Sequence, residues 1–158
     1  MSTRLHSLIQ QGQISPVSVI LGPRDQRNRR LFWTKRFEKW CRDICQSPGT
    51  RSLVSIPEQL NIAFAEFISG RPLSSGLARC DPPTGEGIWR LKTPDLRLYG
   101  WADEPHCMIL TVGEFKSVIA APGAPKDRHL GQQAVEERRE LKLGFISGER
   151  FEIFPAIS

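Results

Sequence analysis

The sequence predicts an α+β fold: a small antiparallel sheet packed against an N-terminal helical hairpin, followed by a C-terminal helix and a final hairpin. Two observations carry this expectation. Apolar residues recur at helical spacing in two stretches, Trp33, Phe37, Trp40 and Ile44, then Leu60, Phe64, Phe67 and Ile68. Residues 87–113 instead run through three short apolar segments separated by proline-containing reversals, the pattern of consecutive strands. At 158 residues the chain is read as one domain able to bury its own core. Residues 1–30 form an N-terminal extension with one strand, 31–143 the core, and 144–158 a closing strand or hairpin.

Each element has a local reason. "PVSVILG" (16–22) is β-branched and ends at Gly-Pro, which reads as a strand. A helix over about 31–46 buries the first aromatic stripe and leaves Lys35, Arg36, Lys39 and Arg42 elsewhere around it. Ser55 followed by Glu58 is a capping box, Pro57 fits a first helical turn, and Gly70 is a natural stop. The two helices are expected to pair through their aromatic faces. The proline and glycine residues of 71–86 predict an irregular connection. Strands follow at about 87–93, 96–102 and 106–113, with reversals at "TPDL" and "DEPH" and an apolar run, "MILTV", covered on both faces. A helix over about 127–143 buries Leu130, Ala134 and Leu141 and ends at Gly144. "GFISGERFEIF" then supplies one or two last strands.

Composition narrows the function. There is no apolar run of the roughly 18 residues that a membrane span needs, and the N-terminus lacks a signal-like apolar core. A cytoplasmic chain without a membrane partner is expected. Cys41, Cys45, Cys80 and Cys107 lack the close-set pairing of a zinc site, so reduced structural thiols, no metal and no cofactor are expected. The net charge of +5 is concentrated: residues 24–43 hold eight Arg or Lys against three acids. Such a stretch suits an anionic partner such as nucleic acid, or serves as a solvated helix face.

The strands raise a sharper question. Side chains alternate along a strand, so Arg90 and Lys92 share one face with Ile88, and Arg97, Tyr99 and Trp101 share one face of the next strand. Trp89, Leu91, Leu96 and Leu98 then lie beneath the helices, and the cations and rings line the opposite side. Like charges repel, so folding alone does not ask for them. Cations interleaved with aromatic rings suit RNA, whose phosphates they meet and whose unpaired bases the rings can stack on. The alternative is an ordinary solvated face of a half-buried sheet. Lys116 joins the cluster only if the third strand neighbours the second.

"GIWRLKTPDLRLYGW", then "ILTVGEFKSVIAAP" and "LGQQAVEERRE" resemble the strand–turn–strand, hydrophobic strand and alanine-bearing helix of the RelE/HigB toxin superfamily of bacterial toxin–antitoxin systems, its phage Gp49-like branch above all. The resemblance covers about residues 31–143. It implies a small metal-independent endoribonuclease that cuts mRNA, often on the ribosome, and is neutralised by an antitoxin protein. It further implies that Arg97 stabilises the transition state, that Arg90 and Lys92 hold phosphate or move protons, and that Lys116 is the basic residue after the third strand. Relatives carry a Tyr or His near the last helix for proton transfer. Here His129 is the nearest catalytic candidate of that kind beside Tyr99, and Glu114 is a further possible base. Arg29, Arg30, Lys35, Arg36 and Lys39, with Tyr99 and Trp101, complete the expected nucleic-acid-binding set. Two other functions remain open: a non-catalytic RNA- or DNA-binding module, and a gyrase inhibitor of the ParE type.

Overall fold

A six-stranded mixed sheet organises the chain in the computed structural model, which describes residues 1–46, 52–73, 76–122 and 126–157. The elements are α1 (Thr3–Gln10), β1 (Ile14–Pro16), β2 (Arg30–Thr34), α2 (Lys35–Cys45), α3 (Ile56–Ser69), β3 (Leu77–Arg79), β4 (Ile88–Lys92), β5 (Leu96–Glu104), β6 (Cys107–Phe115), α4 (Lys116–Ile119), α5 (Lys126–Glu140) and α6 (Arg150–Ile153). The strand order is β1-β2-β6-β5-β4-β3, with β2 and β6 parallel and the other neighbours antiparallel. Helices α2 and α3 cover one face; α1 and α5 cover the other. No described helix is long and apolar enough to cross a membrane.

The expected small antiparallel sheet is therefore corrected to a larger, mixed one with two covered faces. The main reason lies in "RLFWT". Leu31 and Trp33 pack under α2 and α3 while Phe32 faces α1, so the run is buried on both sides. Trp33 matches the helical spacing of Phe37 only by coincidence. Thr34 is the cap of α2, its hydroxyl accepting from the Phe37 amide, and Trp33 lies before it in the strand.

Other expectations shift as well. Residues 17–22 form no strand, although the Val17 amide still donates to Leu31 O. The N-terminal extension contributes α1, started by Ser2, whose hydroxyl accepts from the Leu5 amide. Rather than closing on each other through aromatic faces, α2 and α3 lie side by side on the sheet, with Trp33 touching Phe37 and Phe64. The connection 71–86 contains β3, which pairs with β4 and adds an edge strand. The expected final hairpin is instead an irregular stretch leading into α6, and α5 ends before Gly144, with Lys142 in the left-handed region at φ 56°.

Where the sequence signals were strongest, elements fall in place. Ser55 accepts from the Glu58 amide, Pro57 sits in the first turn of α3, and Gly70 closes it at φ 86°. The three strands β4, β5 and β6 occupy the stretches whose reversals and alternation marked them. One irregularity matters for the site. The register passes from Tyr99↔Val112 to Gly100↔Leu110, so Thr111 is an extra residue, a β-bulge. It switches the parity of β6, turning Val112 to the α5 side with Tyr99 and setting Glu114 beside Arg97.

Candidate functional site

Strands β4 and β5 pair as Ile88↔Trp101, Arg90↔Tyr99 and Lys92↔Arg97, so the alternation read from the sequence places these six on one face. That face is not open. Tyr99 and Trp101 have no exposed surface; they pack with Leu130, Ala134 and Val135 of α5. Gly131 also lets α5 lie close against the β3–β4 connection: a Cβ there would lie 2.7 Å from Pro83 Cδ and 2.9 Å from Cys80 Sγ. The expectation that these rings offer bases a stacking platform is corrected, because α5 occupies the place a base would take.

Arg90 lies at the border of this covered zone. Its Nη1 donates to Asp127 Oδ1 at 2.8 Å, and the Tyr99 hydroxyl donates to the same oxygen at 2.5 Å. Burial pushes the Asp127 carboxyl up, but the Tyr99 and Arg90 hydrogen bonds outweigh it and leave it below its ordinary value. Desolvation likewise weakens the Arg90 charge, while Asp127 more than restores it. Cys80 Sγ sits 3.7 Å from Asp127 Oδ2, and burial followed by that carboxylate pushes the thiol up to about 12. The Tyr99 hydroxyl is pushed well above its usual range by burial and then by Asp127. Neither group supplies a proton acceptor at neutral pH. Asp127 was not singled out in the sequence; its signal was an acid in the first turn of a helix, too common to read.

Beyond α5 the same face is half-exposed. Lys92 and Arg97 stand directly opposite each other and make no ion pair with any described carboxylate. A like-charged pair in this position costs stability, on the order of 0.2–1 kcal/mol. Arg97 folds its Nη1 back onto two backbone carbonyls, Thr93 O and Leu96 O, both at 2.8 Å. Burial lowers the Arg97 pKa, and Arg90 lowers it further. On the other side of Arg97, across β5–β6, stands Glu114, whose Oε1 accepts from the Phe115 amide. The third strand does neighbour the second, and the Lys116 amide donates to Asp95 O at 2.8 Å, bringing its exposed residue to the same end of the sheet.

The remaining candidates lie elsewhere. Arg29 is 2% exposed and donates to Phe67 O, Arg71 O, Phe154 O and Pro155 O. Its expected place in an RNA-binding surface is corrected to one inside the fold, because its guanidinium satisfies carbonyls at the end of α3 and in the C-terminal segment. Arg30 pairs with Glu104, Arg36 with Glu137 and Lys39 with Asp43, all at the surface. Lys35 is exposed at the start of α2. His129 is exposed in a cleft with Pro82, Pro83, Thr84, Arg128 and Gln132, and no hydrogen bond joins it to Arg90 or Arg97. All four cysteines are free, and no group of three or more His, Cys, Asp and Glu among the described residues could hold a metal.

Three residues thus converge at one end of β4, β5 and β6, Lys92, Arg97 and Glu114, with Lys116 adjoining and Arg90 held just inside by Asp127. No family model matches the chain, and neither a curated protein nor a solved structure is significantly similar to it.

Proposed function

We propose that the chain is a metal-independent endoribonuclease of the toxin kind, acting on mRNA and held in check by an antitoxin protein. The observation that carries this is the facing pair Lys92 and Arg97, two half-exposed cations without a carboxylate partner among the described residues. A phosphate between them would relieve their repulsion with two charge-assisted contacts. In the reaction the 2′-oxygen bonds to phosphorus as the bond from phosphorus to the 5′-oxygen breaks. Glu114 takes the proton of the 2′-hydroxyl, Arg97 and Lys92 stabilise the charge that builds on the phosphorane, and Lys116 gives a proton to the departing 5′-oxygen. The products are a cyclic phosphate and a free 5′-hydroxyl. An acidic segment of an antitoxin would satisfy the same cations and block the site.

A second reading, an RNA-binding module without chemistry, is favoured by the hold of Asp127 on Arg90 and by the place of His129 in a cleft that none of Lys92, Arg97 and Glu114 lines. One experiment separates the two. The purified protein is incubated with single-stranded RNA in the presence of a chelator, and ends are mapped. Cleavage that leaves 5′-hydroxyl ends, lost in Arg97→Ala and in Glu114→Gln, supports the nuclease. Retention of RNA without any cleavage supports the module.

A further inference from the structure

The two cations flank the β4–β5 turn, and that turn is tied from below by one side chain. Gln59 of α3 is 2% exposed, on a helix that also buries Leu60, Ala63 and Phe64. Its Nε2 donates to Val54 O at 2.9 Å and to Asp95 Oδ2 at 2.7 Å. Its Oε1 accepts from the Thr93 hydroxyl at 2.8 Å and from the Asp95 amide at 3.0 Å. Both donors and both acceptors of the amide are used, three of the four on the turn. The Thr93 hydroxyl oxygen in turn accepts from the Leu96 amide at 3.0 Å.

The turn sets more than its own shape. The carbonyls that hold the Arg97 guanidinium belong to Thr93 and Leu96, so a displaced turn displaces the charge. Lys92 is the last residue of β4 and stands directly opposite Arg97, and like charges so placed disfavour the pairing of the strands at this end. We propose that Gln59 is a positioning residue: from α3 it holds the β4–β5 turn shut against that repulsion and so fixes the separation of Lys92 and Arg97. Its catalytic consequence rests on the nuclease reading; its mechanical role does not.

Amide hydrogen exchange on the full chain tests the mechanical role. The reporter is the Thr93 amide, which donates to Leu96 O at 3.0 Å. Gln59→Ala is expected to speed its exchange about tenfold, and adding Lys92→Met is expected to recover most of that protection, a coupling that a merely structural glutamine would not show. Should Gln59→Ala fail to fold, Gln59→Glu carries the measurement, since it retains the acceptor oxygen and sets a carboxylate against Asp95 Oδ2. Unchanged Thr93 exchange, or equal loosening with and without Lys92→Met, overturns the proposal. On a single-stranded oligoribonucleotide, Gln59→Ala is expected to lower kcat about 100-fold with little change in KM. A loosened turn with undiminished kcat overturns the positioning role. If the wild-type chain cuts no RNA, the nuclease reading fails, and the exchange result still decides whether Gln59 holds the turn.

Discussion

Arg97 and Arg90 are neighbours of the same kind placed under opposite conditions. Arg97 is anchored through one nitrogen to backbone carbonyls, while Arg90 is neutralised by Asp127 beneath the first turn of α5. On the nuclease reading, Arg97→Ala is therefore expected to lower kcat for RNA cleavage by 10²–10³-fold, about 3–4 kcal/mol, with the fold intact. Arg97→Lys recovers little, because an ammonium held on Thr93 O and Leu96 O lacks the further N–H groups that the guanidinium, anchored through Nη1 alone, keeps for a phosphate. Asp127 has a different signature. Its carboxyl is depressed in the fold, so the stability it adds is present above the ordinary carboxylate value near 3.8 and lost as pH falls through the lower, folded value. Asp127→Asn should cost about 1 kcal/mol at pH 7, discounted for its partial exposure. In urea unfolding, the gap from the wild type should close as the pH drops below about 4. A gap that stays constant would show that the ion pair with Arg90 is not its source.

Whole elements were legible in the sequence where one physical signal dominated. Strands β4 and β5 alternate, β6 is an apolar run set off by a proline-containing reversal, and α3 carries a capping box and a closing glycine, so all were readable. Strand β2 was not, because burial on both faces erases alternation and Trp33 happens to continue the spacing of Phe37. Nor was the cover over Tyr99 and Trp101 legible, since α5 is mostly polar and packs with those rings through Leu130, Ala134 and Val135. The bulge at Thr111 was equally hidden, yet it decides which side of β6 carries Glu114. It depends on Gly100, where a Cβ would lie 2.0 Å from Ile109 O. Gly100→Ala should cost about 3 kcal/mol and disturb the alignment of Glu114 with Arg97, whereas Gly144→Ala, with nothing within 4 Å, should be near neutral. Thermal unfolding of the two variants provides the comparison. Arg29→Met should cost about 2–3 kcal/mol by removing the donor from the Arg71, Phe154 and Pro155 carbonyls and one of two donors from Phe67 O, and hydrogen exchange at the Ile157 amide, which donates to Gly70 O, should report the freed C-terminal segment.

Across the whole molecule the charge count misleads. The basic stretch 24–43 carries the entire excess, but Arg29 is internal and Arg30, Arg36, Lys39 and Arg42 have acidic partners. The candidate site sits instead in a part of the chain whose charges balance overall. If Lys92 and Arg97 are the main phosphate contacts, the affinity for single-stranded RNA should fall with log salt at a slope of about −1.4, and Lys92→Ala should flatten that slope by about 0.7. Fluorescence anisotropy over a salt series measures both. A far steeper slope, unchanged by Lys92→Ala, would move the interface to the α2 surface.

The parallel seam between β2 and β6 has a consequence for how the chain is made. Leu31 can find Met108 only after α2, α3, β3, β4 and β5 have all been synthesised. Until Cys107 and its followers emerge, β2 is a hydrophobic edge with nothing to pair with on that side, a state prone to association with other unfinished copies. Premature stops before that point should therefore yield insoluble fragments rather than smaller folded proteins.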